Sequence, residues 1–343
     1  MQDSEKMIDI GSRPLPDLPP ELHEVIVNHL EGDNWTLKQC ALTCKLYRHF
    51  AQPLLFKSIE FRFSAYPNQA SVTADRFLDI LQESPQVANY VQRLALWDRY
   101  IPAGPIQKEE AIPQVLLALF NVVHLNLGRL PHFIRFTLLD TSTQLVIMKK
   151  CETLRSLTLY GVENMPLKIF DHLQRLEQLI LENVLFVNNA VMQVESLRVL
   201  DVALSTNGPA MLPNDEPVFD LSKMPLLEEW ALGGVVCKMG IETGPIGLEW
   251  LSRHLETISA GQKFKYITLC PVIVGAKLVT DDKLDSEGFE YFENLVVDVV
   301  LPRTESFSIQ FMISDEEDES PIQEQMQKHL PTLYALNILY FHA

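Results

Sequence analysis

Residues 15–59, LPDLPPELHEVIVNHLEGDNWTLKQCALTCKLYRHFAQPLLFKSI, contain the point at which one hydrophobic periodicity gives way to another. A helix is expected to open near Pro20, because proline at the first helical position forfeits only an N–H that has no intrahelical partner. Leu22, Ile26 and Leu30 then recur every four residues as one apolar stripe. Leu37, Cys40, Ala41 and Cys44 repeat at steps of three and four, with Asn34 or Thr36 as N-cap. Tyr47, Phe50, Ala51 and Leu54 continue the spacing up to Pro53, where a helix must end or kink. Three helices in about 40 residues gain little beyond the entropy they lose on ordering, so such a unit leans on a neighbour.

From Phe56 onward a different signature recurs: an apolar residue, two variable ones, an apolar residue, one variable, and an apolar residue. Its copies are Phe56, Ile59, Phe61; Val91, Leu94, Leu96; Val122, Leu125, Leu127; Leu154, Leu157, Leu159; and Leu176, Leu179, Leu181. It continues as Leu197, Leu200, Val202; Leu227, Trp230, Leu232; Phe264, Ile267, Leu269; and Leu333, Leu336, Ile338, with a weaker copy at Phe292, Leu295, Val297. The alternation inside each copy suits a short strand with one buried face. Central positions from Leu94 onward lie 31, 32, 22, 21, 30 and 37 residues apart, so the units differ in length. The segments Ala111 to Phe120 and Leu248 to Leu255 have helical apolar spacing, and the expected class is α/β, a parallel sheet with helices or irregular turns between strands. A stacked array in which each unit buries its neighbour fits this pattern; a compact doubly wound sheet would produce it too.

Leu18, Pro19, Pro20, Glu21, Leu22, Ile26 and Leu30, followed by Leu37, Cys40, Ala41, Leu42, Cys44 and Lys45, resemble the F-box motif in order and spacing. The link from Leu30 to Cys40 is about two residues longer than is usual in that family, and Tyr47 stands where tryptophan is common. Residues 59–343 are similar to leucine-rich repeats, although the asparagine that usually follows the strand is replaced by Leu130, Val162, Val184 and Val235. Backbone groups at those turns must then find other partners. The expected organisation is a flexible tail (1–14), a three-helix F-box-like module (15–58) and an irregular leucine-rich-repeat-like solenoid with a parallel sheet (59–343), interrupted by an acidic loop at 314–320.

With 343 residues, 47% hydrophobic and 21% charged, the chain can bury a large core. No apolar run approaches the roughly 18 residues needed to cross a bilayer, and the polar start MQDSEKMIDIGSRPLP lacks the features of a signal peptide, so a cytoplasmic or nuclear location is expected. Five cysteines fit a reducing compartment in which thiols act as small buried hydrophobes, and Cys40 and Cys44 have no further pair to complete a zinc site. A net charge of −17 disfavours nucleic acid and favours a basic partner, and Asp315, Glu316, Glu317, Asp318 and Glu319 concentrate part of it. No nucleophile elbow, phosphate-binding glycine loop or HExxH is present. The stretch Asp281, Lys283, Asp285, Glu287 fails as a calcium loop, with Lys283 at the third position, Ser286 at the turn glycine and Phe292 at the bidentate glutamate. The chain is therefore expected to be non-catalytic, with no metal and no cofactor.

The resemblance implies the substrate-recognition subunit of a Skp-cullin-F-box type ubiquitin ligase, whose helical module docks on a Skp-type adaptor, and through it a cullin, while the repeats hold a protein target. The family-like adaptor positions are Leu18, Pro19, Leu22, Ile26, Leu30, Leu37 and Leu42, of which some must serve the module's own core. Target capture is expected from the variable strand positions: Arg93, Trp97, His124, Asn126, Thr158, Tyr160, Gln178, Glu182, Asp201, Glu229 and Tyr266. The alternative is a repeat scaffold that recruits no ligase.

Overall fold

The computed structural model describes residues 18–63, 73–98, 106, 109–129, 133–187, 194–203, 219–238, 246–274, 286–313 and 319–342. The expected tail at 1–14, most of the acidic stretch (314–318) and Asp281, Lys283 and Asp285 lie outside these. Contacts divide the chain into two units, with the boundary between Lys57 and Ser58.

The first unit is three helices: α1 (Pro20–Asn28), α2 (Asn34–Thr43) and α3 (Lys45–Leu55). Pro20 opens α1, as its missing N–H permits. The cap of α2 is Asp33, whose carboxylate accepts from the Thr36 amide at 3.0 Å and from the Thr36 hydroxyl at 2.6 Å, so neither Asn34 nor Thr36 is the N-cap. Pro53 lies inside the last turn of α3, where it has no amide to offer the His49 carbonyl. Val27, Leu37 and Ala51 form the buried centre, with Leu30, Cys40, Ala41, Tyr47, Phe50, Leu54 and Leu55 packed around them. Tyr47 uses its hydroxyl: it lies 3.1 Å from His23 Nδ1, and the two rings meet edge to face at 5.3 Å. Lys57 pairs with Glu31 at 2.5 Å and ties the end of α3 to the longer α1–α2 link.

In the second unit, eleven strands form one sheet: β1 (Ser58–Phe63), β2 (Arg93–Asp98), β3 (His124–Arg129), β4 (Ile134–Arg135), β5 (Ser156–Pro166), β6 (Gln178–Val187), β7 (Val199–Ala203), β8 (Glu229–Lys238), β9 (Phe264–Val274), β10 (Thr304–Ile313) and β11 (Leu339–His342). Every pairing is parallel, and apart from β4, which pairs only with β5, the order follows the chain from β1 to β11. A doubly wound sheet would reverse direction at a switch point, and this one never does. Between strands lie α4 (Ala74–Glu83), α5 (Val87–Tyr90), α6 (Ile112–Ala118), α7 (Thr141–Cys151), α8 (Ile246–Glu256), α9 (Ser286–Leu295), α10 (Glu319–His329) and α11 (Pro331–Ala335). The short spacing from Leu157 to Leu179 leaves room only for a 3₁₀ segment, Leu167–His172.

One structural device repeats along the sheet. The carbonyl two residues before each central apolar position accepts two amides from the next unit: Gln92 from Val123 and His124, Val123 from Arg155 and Ser156, Arg155 from Glu177 and Gln178, Glu177 from Arg198 and Val199, Arg198 from Glu228 and Glu229, and Glu228 from Lys265 and Tyr266. Register is thereby set afresh at each of these six steps, whatever the length of the connection. Leu94, Leu125, Leu157, Leu179, Leu200, Trp230 and Ile267 line up as one fully buried rung. Burial of such side chains contributes about 1.5–3 kcal/mol each before entropy is counted.

Three readings are corrected. Phe292, Leu295 and Val297 belong to α9 and the helical turn after it, Val296–Val300, where Phe289, Phe292, Val296 and Val300 are buried. Leu333 and Leu336 sit in and just after α11, Leu336 is half exposed, and β11 begins only at Leu339. The strand between them, β10, escapes the signature because Thr304 holds the first apolar position. Glu319, placed in the acidic loop by its charge, opens α10. At Val162, Val184 and Val235, where the repeat-like asparagine is missing, the strands run on, while Leu130 lies outside the described residues. Val162 and Val184 are buried and paired, so their backbone is served by the ladder itself. Just before that pair the sheet kinks at one level, Gly161 and Asn183 both having φ of 55°.

Candidate interaction surfaces

On the helical unit the apolar stripe of α1 faces outward. Leu18, Leu22, Val25 and Ile26 are 46–50% exposed while Val27 alone on that helix is buried. Trp35 and Leu42, seven residues apart and so on one face of α2, are 72% and 75% exposed. Pro19 is exposed as well. Leu37 is different: it is fully buried, and the partly buried Leu30 packs against the same centre, so both side chains serve the unit's own core. Large aliphatic and indole side chains left in water on so small a unit mark a surface built to be covered.

Among the described residues the apolar side of the strands is buried, and most side chains of the other side are partly exposed. Arg93, His124, Gln178, Glu229 and Tyr266 share one rung of the other face, Asn126, Thr158 and Asp201 the next, and Trp97, Tyr160 and Glu182 a third. All the candidate target residues therefore fall on one surface. Arg93, His124, Asn126, Ser156, Thr158 and Gln178 border a depression of about 320 Å³.

The third rung is organised by Gly128. Trp97, Gly128, Tyr160 and Glu182 are register partners on β2, β3, β5 and β6. A Cβ at position 128 would lie 2.6 Å from Trp97 Cζ3 and 2.7 Å from Tyr160 Cβ. Only glycine lets the indole lie across β3, where its ring centroid is 5.5 Å from that of Tyr160. Gly128→Ala is expected to expel the indole and to destabilise this unit by about 2 kcal/mol; a red-shifted tryptophan emission together with a lower denaturation midpoint checks it.

Beside this pair stand two carboxyl groups that no cationic side chain neutralises among the described residues. Burial, then the neighbouring Asp201 charge, raises the Glu182 pKa against a lowering hydrogen bond from Tyr160, and burial raises that of Asp201. The Tyr160 hydroxyl is raised by burial and by both carboxylates. Cys270 is likewise kept as a thiol, by burial and by Asp201, and is no activated nucleophile. Cys151 is buried, with its pKa pushed up to about 12, whereas Cys44 is exposed and Cys40 and Cys270 are partly covered, so burial is not common to all the thiols.

Sequence reasoning missed a charge ladder along the edge of the sheet. Arg155 lies 3.8 Å from Glu177, Arg198 lies 3.1 Å from Glu228, and Lys265 lies 2.5 Å from the same Glu228. Its signal was available: the residue two before each central apolar position alternates in sign from Arg155 through Glu305. Each exposed pair contributes only about 0.2–1 kcal/mol, and their common effect is on register. Among the described residues no three His, Cys, Asp or Glu side chains gather as a metal site requires, and no helix is long and apolar enough to cross a membrane.

No protein-family model matches the chain, and no curated protein is similar to it.

Proposed function

We propose that the chain is a non-catalytic substrate-recognition subunit of a Skp-cullin-F-box type ubiquitin ligase, with an F-box helical unit and a leucine-rich-repeat-like solenoid, acting in the cytosol or nucleus. The observation that carries the reading is the exposed apolar stripe Leu18, Leu22, Ile26 with Leu42, on a unit whose residues resemble the F-box in order and spacing. A sheet whose strands follow chain order, with the same carbonyl bridging at each step, supports the repeat reading. In such a complex the receptor breaks no bond. It raises the effective concentration of its target beside an enzyme supplied by other subunits.

Calorimetric titration of the full chain into a Skp-type adaptor tests the proposal. The double variant Leu22→Ala, Ile26→Ala, whose side chains lie outside the core, is expected to keep its circular dichroism spectrum. It should bind at least roughly thirtyfold more weakly, the loss of one anchor of about 2 kcal/mol. Absence of binding by the unaltered chain overturns the ligase reading and leaves a repeat scaffold.

A further inference from the structure

We propose that the open sheet face captures a basic segment of its protein target, a lysine or arginine side chain lying over the Trp97–Tyr160 pair with its charge against Glu182 and Asp201. The inference rests on the reading that this face, and not the helical unit, holds the target; it does not depend on the adaptor.

Four observations converge on that chemistry. First, the chain neutralises acids where they serve structure: Glu177 and Glu228 meet Arg155, Arg198 and Lys265 at the sheet edge, while Glu182 and Asp201 meet no cation among the described residues. Both carboxyl groups are partly covered by protein, so the charge they carry is partly desolvated without a neutralising cation among the described residues. A partner's cation at this place would gain more than one in open water.

Second, the aromatic pair offers two ring faces set at 45° to each other. Gly128 admits the indole over β3, and the Tyr160 ring beside it is tied to Glu182. Electron-rich ring faces adjoining carboxylates attract the stem and head of a long cationic side chain together. Third, the neighbouring ground is low. Continuing the rung past Glu182 are Ala203 and Gly233, and Ala231 stands beside Asp201. A Cβ placed at Gly233 would meet nothing nearer than 3.6 Å. Among the described residues, small side chains thus flank both carboxylates on the β7–β8 side. Fourth, the net charge of −17 would steer a basic segment toward the chain before contact.

The test uses the full chain and a fluorescein-labelled dodecapeptide of alternating lysine and serine, with a glutamate-for-lysine peptide beside it, followed by anisotropy at physiological ionic strength. Saturable binding of the basic peptide alone is expected, at least tenfold weaker in Glu182→Gln, Asp201→Asn and at least fivefold weaker in Trp97→Ala. A charge-matched control, Glu249→Gln, Asp220→Asn, neutralises two acids off this face and should leave binding unchanged. Equal weakening by the control, retention of affinity by the face variants, or no binding by the unaltered chain overturns the proposal. Adaptor binding is measured separately, so the loss of either reading is seen without the other.

Discussion

Leu37→Ala is expected to unfold the helical unit while the strands remain protected. The side chain is fully buried among Val27, Ala51 and their neighbours, and the unit has no second centre on which to fall back. Removing a buried leucine down to its Cβ costs about 3–4 kcal/mol, from lost transfer energy plus the cavity left behind. At roughly 0.05–0.15 kcal/mol per residue, a unit of some 40 residues commands only about 2–6 kcal/mol in total. Hydrogen exchange checks this: the amides of α1, α2 and α3 should lose protection by two or more orders of magnitude, with those of β5 and β6 unchanged. Retained protection in the helices would show that the module's stability comes from elsewhere. Set beside Leu22→Ala, Ile26→Ala, the variant separates the side chains that build the unit from those that face outward.

Acid should weaken the second unit through His254. Its ring is fully buried on α8, with Nδ1 2.8 Å from the Trp250 carbonyl. Because a carbonyl only accepts, Nδ1 must donate, which leaves Nε2 as the unprotonated nitrogen; it is buried with no hydrogen-bond partner among the described residues. Burial drives the pKa down to about 4, against a smaller opposing effect of the Trp250 carbonyl. The folded value therefore lies below the unfolded one, near 6.5, and between these two the unfolded chain binds the extra proton. Stability is unaffected above about pH 6.5, falls as pH drops through the window, and levels off below about pH 4, for a total loss of about 3 kcal/mol. Carboxyl groups with raised pKa values, Glu109, Glu182 and Asp201, act in the opposite sense, since the folded state protonates them first. The measurement is thus a difference: urea midpoints of the unaltered chain and His254→Leu, at pH 7 and pH 4.5. Most of the loss should appear in the former and be absent from the latter; parallel shifts would remove His254 as the cause.

Periodicity made much of this fold readable. Where three apolar side chains must meet one core, spacing alone marks a strand and its buried face, and the copies beginning at Phe56, Val91, Val122, Leu154, Leu176, Leu197, Leu227 and Phe264 all mark real strands. The same spacing deceived at Phe292, where a step of three serves a helix equally well, and at Leu333, where a short helix delivers one apolar residue to the core and turns the next outward. Asp33 was overlooked as a cap because three neighbouring polar residues compete for the role and only backbone geometry selects one. Leu37 and Leu22 look alike in the sequence, both apolar on amphipathic helices. How the three helices pack turns Leu37 and Val27 inward and Leu22 and Ile26 to water.

Composition and local pattern thus determined most of the strands, which side of each is apolar, and that the surface would be acidic, since these follow from side-chain chemistry within a few residues. Alignment of the strands did not follow, because connections of unequal length carry no register. It is set by each carbonyl that accepts two amides from the next unit, and by the charges that alternate along the same edge. That alignment brings Trp97 over Gly128 to Tyr160 and places Glu182 and Asp201 beside them, joining residues more than 100 positions apart into one surface. Proximity of this kind is a property of packing between units, and no single unit contains it.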